Sequence, residues 1–481
     1  MLEETTPLEK VLAVNPDGSN VETVRKMAHD VVDAVIEHFS TLNTKGVYSE
    51  SEIESSTGSS HSWNEIVEYL RKVMSGSMQV AHPRFFGHMD SGPLFVSVLS
   101  DWVASALNQN MLSSELSPMA SRIEDDLVQW LLSIIGYSNG EGALVSGGTM
   151  SNFTALLLSL HHVSKGRFKQ EGFYSISRRP VVFASNEAHY SVSKMVSSAG
   201  IGEQGLIKVP TDRQFRMDVS LLEEEIISAE NAGKLPLMVV ATAGTTSTGS
   251  VDPILEVAKI CRDHSIWLHV DAAHGGGALF SHRTRFALSG IENADSVTID
   301  PHKWLMQPKT LGVILTRHKG MLSELFGHEA PYLHGKASKA IPNWGSMSFQ
   351  GSRRFDSLKF WITRHYLGDD GLAEVIDKSI ELVSKWKLML LKSEGFEIAH
   401  EPDLNILCFR YKPKGYDENE ADLLNDSIQK ELMISGKGYI SSTTLGNHRW
   451  LRSVFLNPTT TLSDISAVKE EIERVAKYLI G

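Results

Sequence analysis

The stretch "SVTIDPHKWLMQP", Ser296 to Pro308, carries a short apolar run, Val297 to Ile299, straight into Asp300, Pro301, His302, Lys303 and Trp304. A short β-branched run of this kind reads as a buried strand, so the lysine stands at a strand end with an aspartate and a histidine against it. A solvated surface lysine needs no such neighbours. An amine held there points to chemistry at the edge of a sheet.

Working outward, segments of the same kind recur: "PVVFAS" from Pro180, "LMVVATAG" from Leu237, "IWLHVDAA" from Ile266 and "LGVILTR" from Leu311. They are short, rich in β-branched residues and apolar on both faces, as parallel strands are. Helical stretches between them imply an α/β domain over residues 101–370, with a mostly parallel central sheet and helices on both faces. Residues 1–100 read as an N-terminal helical segment. In it, "VRKMAHDVVDAVIEHFSTL" sets Val24, Met27, Val31, Val35 and Phe39 on one stripe, and the Ser-rich "GVYSESEIESSTGSSHSW" reads as an extended arm. "LFVSVLSDWVASALNQNML" and "SRIEDDLVQWLLSIIGY" read as further helices, the second stopped by Gly136. Residues 371–481 read as a small α+β domain: a helix, then "FEIAHEP", "NILCFRYK" and "WLRSVFLNP" as strands, then a closing helix.

The totals agree with this division, since 481 residues are too many for one core. A net charge of -12 with no basic block argues against nucleic acid or an anionic membrane as partner. The start, "MLEETTPLEK", has no basic stretch leading into an apolar run, and no apolar window is long enough to span a bilayer, so a cytoplasmic location is expected. Cys261 and Cys408 stand far apart and offer no disulfide framework, zinc or redox spacing; no metal is expected. Asn152-Phe153-Thr154 is a glycosylation sequon by pattern, but it falls inside the first of the motifs below.

Four other strand ends carry polar groups. "ALVSGGTMSNFTALLLSL" leaves a strand through Gly147, Gly148 and Thr149 and opens a helix, where bare N–H groups either cap the helix or hold a phosphate. No Gly-Lys-Ser/Thr follows, which argues against a nucleotide P-loop. "FASNEAHYSVSKM" places His189 between a strand and a helix, as a structural residue or as a partner for a ring. "VVATAGTTSTGSVDP" brings Thr245 and Thr246 to a third end. In "IWLHVDAAHGGG", Asp271 is either a helix cap or a desolvated anion that needs a cation. Taken together on the carboxyl ends of one sheet, a phosphate turn, a ring-sized histidine, a buried aspartate and a lysine describe a site for pyridoxal 5'-phosphate. Lys303 would form a Schiff base with it, Asp271 would keep the pyridine nitrogen protonated, and the glycine turn would bind the phosphate.

The ordered motifs "HPRFFGHM", "NQNMLSSELSP", "SGGTMSN", "NEAHYSVSK", "GTTSTGSVDP", "HVDAAHGG", "DPHKW", "RRFDSLKFW" and "LRSVFLNPTTT" resemble those of the group II pyridoxal-phosphate-dependent amino acid decarboxylases. That family includes glutamate, aspartate, aromatic amino acid, diaminobutyrate and cysteine-sulfinate decarboxylases. The resemblance implies the fold type I, aspartate aminotransferase-like architecture, a homodimer wrapped by its N-terminal helices, and pyridoxal phosphate as cofactor. It further implies that Lys303 carries the cofactor, that His189 stacks on its ring and that Asp271 meets the pyridine nitrogen. Gly148, Thr149, Asp300 and His302 would make up the phosphate and lysine-flanking set, with Thr246 and Ala273 lining the ring. Arg452 matches a residue that meets a substrate carboxylate, a task suited to a planar fork of donors; His82 and Asn110 are further substrate-side candidates. Two departures stand out: Asp300 replaces the asparagine of many relatives, and Trp304 replaces the methionine of animal glutamate enzymes.

The expected reaction is loss of carbon dioxide from an L-amino acid to give the amine. The resemblance implies that a loop tyrosine then protonates the α-carbon, and Tyr332 matches it, in a stretch from Phe326 to Gly345 whose Gly, Ala, Lys and Ser content suits a lid. Relatives that form aldehydes carry phenylalanine there. An acidic substrate is slightly favoured, with aromatic amino acids and diaminobutyrate as alternatives. A cofactor-binding scaffold without activity is the alternative from another class, and it is disfavoured by the joint presence of Lys303, Asp271, His189 and Tyr332.

Overall fold

The computed structural model describes residues 14, 18–48, 61–328 and 341–481; Tyr332 and most of the Ser-rich arm lie outside them. The first strand, β1 (Phe85–Phe86), belongs to a small sheet. The next seven, β2 (Glu141–Val145), β3 (Pro180–Ser185), β4 (Leu206–Val209), β5 (Leu235–Thr242), β6 (Trp267–Asp271), β7 (Ser296–Ile299) and β8 (Gly312–Thr316), form one sheet in the order β2-β8-β7-β6-β5-β3-β4. β4, β3, β5, β6 and β7 run parallel. Every residue of β6 and β7 is buried, which is why neither segment alternates in polarity.

The reading of Leu311 to Arg317 as one more parallel strand is corrected: β8 pairs antiparallel with both β7 and β2. A parallel return needs a crossover, usually a helix. The segment between β7 and β8 holds the lysine turn and no helix, so the chain reverses. β2 consequently points the same way as β7, and its carboxyl end reaches the same sheet edge.

Helices cover both faces of this sheet. The Gly148–Val163 helix contacts β5, β6, β7 and β8, with Leu156, Leu158 and Leu160 fully buried. The Pro118–Ile135 helix starts on Pro118 and stops at Gly136, whose φ of 96° suits a residue without a β-carbon. Glu124 of that helix is fully buried and takes Arg353 Nη2 at 2.7 Å, while Arg354 ties the same segment to Asp101 and Asp356. Removing one partner of a buried pair like Glu124–Arg353 costs about 3–5 kcal/mol, because the other charge stays desolvated.

The small sheet has the order β1-β11-β12-β10-β9, with β9 (Phe396–Ile398), β10 (Ile406–Tyr411), β11 (Tyr439–Leu445) and β12 (His448–Val454). Phe85 and Phe86 lie parallel to Tyr439 and Ile440, so the N-terminal segment supplies an edge strand to the C-terminal sheet. The Ser357–Leu391 helix bridges the two parts and breaks at Gly368, where φ is 68°. Leu372 and Ile376 pack into the large core, while Leu382, Val383, Trp386 and Leu390 pack into the small one. Among the described residues no helix is long and apolar enough to cross a membrane.

Candidate active site

The carboxyl ends of β2, β3, β5, β6 and β7 open onto one cavity of about 540 Å³. Of the residues singled out in sequence, Gly148, Thr149, His189, Thr246, Asp271, Ala273, Asp300, His302 and Lys303 all line it. Residues more than 150 positions apart meet there because parallel strands deliver their ends to one edge.

Lys303 stands in the turn after β7, its N–H bonded to Asp300 O at 2.9 Å. Its Nζ lies 3.5 Å from Asp300 Oδ2, and His302 Nε2 lies 3.7 Å from the same oxygen. Burial pushes the Asp300 carboxyl upward, and the charges of Lys303 and His302 oppose that. His302 is anchored from behind, its Nδ1 lying 2.6 Å from Leu311 O. Asp271 ends β6 at 5% exposure. Its Oδ2 accepts from Asn152 Nδ2 at 2.7 Å and its Oδ1 from Ala273 N at 3.1 Å. His189 Nδ1 lies 2.9 Å from Ser191 Oγ, and burial pushes the ring's pKa down.

The helix that begins at Gly148 has no side-chain cap on its first turn. A β-carbon at Gly148 would sit 3.0 Å from Asp300 Oδ2 and 3.2 Å from Ala273 Cβ, so glycine leaves the backbone open to an anion. This uncapped turn, an amine and a buried carboxylate around one cavity fit pyridoxal phosphate. Three buried side chains also keep polar atoms without partners: Thr242 Oγ1, His274 Nδ1 and Asp300 Oδ1, all on residues lining the cavity.

The substrate-side candidates divide. Arg452, on β12, is 4% exposed; Nη1 donates to Ser441 Oγ at 3.0 Å, while Nε and Nη2 have no partner. Ser441 Oγ in turn lies 3.3 Å from Gly87 O, next to His88 of the cavity lining, so the guanidinium sits behind that wall. His82 and Asn110 are not among the lining residues. His82 Nδ1 accepts from Arg84 N, and Asn110 bonds Ser352 Oγ and Leu112 N.

Sequence reading passed over four residues here: His88, Asn152, His274 and Lys309 all line the cavity, Lys309 paired with Asp90 at its mouth. Asn152 registered only as a sequon. At 1% exposure it is closed to glycosylation, and the signal was an amide placed one turn into a helix that opens at a strand end.

Residues 48–412 match a family model described as the pyridoxal-dependent decarboxylase conserved domain. The L-2,4-diaminobutyrate decarboxylase of Acinetobacter baumannii is 32% identical over 424 residues, covering 84% of this chain and 83% of that protein. The acidic amino acid decarboxylase of Homo sapiens is 33% identical over 428 residues, covering 86% and 81%. The crystal structure of mouse CSAD superimposes with a TM-score of 0.90 at 28% identity, covering 95% of this chain and 99% of that one. This chain therefore belongs to the pyridoxal-dependent decarboxylase family, as an amino acid carboxy-lyase that works with pyridoxal phosphate.

Proposed function

We propose that this enzyme decarboxylates an acidic L-amino acid, with Lys303, Asp271, His189 and Tyr332 as its working residues. The convergence of Lys303, Asp271 and His189 on one cavity carries the reading. When bound, pyridoxal phosphate supplies an electron-poor ring able to take up the electron pair left as carbon dioxide departs. Lys303 would hold it at its aldehyde carbon, and the Gly148–Thr149 turn would hold its phosphate. His189 would cover one face of the ring and fix its plane. Asp271 would hold the proton on the pyridine nitrogen, because an anion beside that atom favours its charged form.

Arg452 supports carboxylate binding, since a buried guanidinium with unpartnered N–H groups is strongly disfavoured until an anion meets it. Lys309 and His88 at the cavity wall support an acidic over a basic side chain, in line with the human relative's name. Asp90 beside Lys309, and the relative from Acinetobacter baumannii, favour diaminobutyrate as the second reading. Carbon dioxide release measured over glutamate, aspartate, cysteine sulfinate, diaminobutyrate and aromatic amino acids decides between them; turnover confined to the basic or aromatic substrates overturns the acidic one.

Tyr332, outside the described residues, is proposed from the family resemblance to deliver a proton to the substrate α-carbon after carbon dioxide has left. Tyr332→Phe removes one hydroxyl, so cofactor affinity should hold while amine formation falls at least ~10²-fold. Under air, aldehyde and ammonia are expected in place of amine. Amine formed at close to the wild-type rate, with no aldehyde, would pass the role to His302 or Lys303.

The functional unit is proposed to be a homodimer. Phe95, Leu99, Trp102, Val103 and Leu107 lie along one face of the Phe95–Leu107 helix at 43–56% exposure, an apolar area unusual on a monomer. The N-terminal stripe adds to it: Val24, Met27, Val31 and Val35 are only half-buried, and Phe39 is exposed. Light scattering should give a dimer for the wild type and a shift toward monomer, with lost turnover, for Trp102→Asp. A fully active wild-type monomer would refute this.

A further inference from the structure

Trp267, His269 and Asp271 alternate along β6 and so share one face of the sheet, beside Ser296 and Thr298 of β7. Behind the carboxylate they form a chain of polar groups whose hydrogens can be assigned from its two ends. Trp267 can only donate, and its Nε1 lies 2.9 Å from Ser296 Oγ. Ser296 Oγ accepts there, and its hydrogen can go to His269 Nδ1 at 2.8 Å; the other end fixes that choice, because Asn152 turns Nδ2 to the Asp271 carboxylate, which only accepts, and so meets His269 Nε2 with Oδ1, which also only accepts. Full burial pushes the His269 pKa down to about 4, so the ring is neutral near pH 7. With Nδ1 accepting, the ring proton sits on Nε2 and is donated to Asn152 Oδ1 at 3.0 Å.

That donation and the Asp271 carboxylate hold the Asn152 amide facing one way. Its Oδ1 also accepts from Thr298 Oγ1 at 2.8 Å, so Nδ2 must turn the other way. There its two hydrogens reach Asp271 Oδ2 at 2.7 Å and Ser191 Oγ at 3.0 Å. All hydrogen-bonding positions of this buried amide are filled. Ser191 passes the ordering on: its Oγ lies 2.9 Å and its backbone N 3.2 Å from His189 Nδ1, which leaves the His189 proton on Nε2. One amide thus orients the carboxylate and bonds the serine whose backbone N–H sets the His189 tautomer.

We propose that His269 is a positioning residue for the decarboxylation, acting through the Asn152 amide to hold the Asp271 carboxylate in one orientation; the inference rests on the role proposed above for Asp271. Without the Nε2 donor the amide can invert and turn its oxygen toward the anion, which repels it.

The test compares two substitutions with opposite costs. His269→Phe keeps the ring volume and loses the donor, whereas His269→Gln loses ring volume and keeps an amide N–H at similar reach. His269→Phe is expected to lower kcat about 10–100-fold with substrate KM changed less than about twofold, and to weaken pyridoxal phosphate binding to the apoprotein in equilibrium titration. His269→Gln should recover both to within about fivefold of wild type, as one restored hydrogen bond warrants. A packing role predicts the reverse order, so a Gln variant worse than the Phe variant, or a Phe variant with wild-type kcat and cofactor affinity, overturns the proposal. If His269→Phe does not fold, Ser296→Ala decides. It leaves the imidazole in place and removes the hydroxyl that bonds Nδ1, together with the acceptor of Trp267 Nε1; kcat should fall about 3–10-fold, and an undiminished kcat overturns the proposal. Asp271→Asn assayed alongside separates the two levels: if it keeps turnover the role of Asp271 fails, and if it is inactive while His269→Phe is wild type only the relay fails.

Discussion

Lys303→Ala is expected to abolish turnover, with carbon dioxide release falling at least ~10⁴-fold, while pyridoxal phosphate still binds. The cofactor would be held through the uncapped Gly148 turn, without the long-wavelength absorbance of a covalently held aldehyde. Lys309 also lines the cavity, but it is paired with Asp90 at the mouth and does not stand at a strand end. Borohydride reduction followed by peptide mass spectrometry should therefore tag Lys303 in the wild type and no lysine in the variant. The loss extends beyond one bond, since Asp300 at 3% exposure would lose its amine neighbour and keep only the His302 ring, whose own pKa burial pushes down, while burial already favours the neutral form of Asp300. Turnover within tenfold of wild type would show that another amine does the work.

Asp271→Asn tests the other end of the ring. The substitution preserves shape and removes the charge proposed to hold a proton on the pyridine nitrogen. Losing one aligned electrostatic partner at a desolvated site costs about 10²–10³ in kcat, and the upper part of that range is expected here because no other carboxylate ends β6. Stability should fall by about 1–3 kcal/mol, since an asparagine offers one oxygen to the two buried donors, Ala273 N and Asn152 Nδ2, that meet the carboxylate. Measured kcat within a factor of ten of wild type, with unchanged cofactor affinity, would mean that Asp271 is structural.

Much of this site was legible before any coordinates, and for a physical reason. The large sheet is mostly parallel and covered on both faces, so its strands are continuous apolar runs ending in polar residues. Those ends are where function sits, so Asp271, Asp300, Lys303 and the Gly147–Thr149 turn are visible in sequence as breaks in hydrophobicity. β8 misled because an antiparallel strand buried on both faces has the same pattern as a parallel one. Only the short connection from the lysine turn marks the reversal. The pairing of Phe85–Phe86 with Tyr439–Ile440 has no local signal, since nothing in a two-residue strand names a partner 350 positions away.

The residues behind the site were decided by tertiary structure alone. Asn152 in sequence is a sequon, and only the packing of its helix against β6 and β7 turns its amide between His269 and Asp271. Arg452 could have been a surface salt bridge; only the fold buries it with two unpartnered donor atoms, which is what supports the anion contact proposed for it. His82, on a conspicuous motif, instead accepts a hydrogen bond from the next turn of its own chain. The sequence by itself determined which residue types stand at the strand ends, because hydrophobic periodicity is a local property of the chain. Which of them face one another, and which way each hydrogen bond runs, is a property of the register and packing of distant segments, and that is written only in the fold.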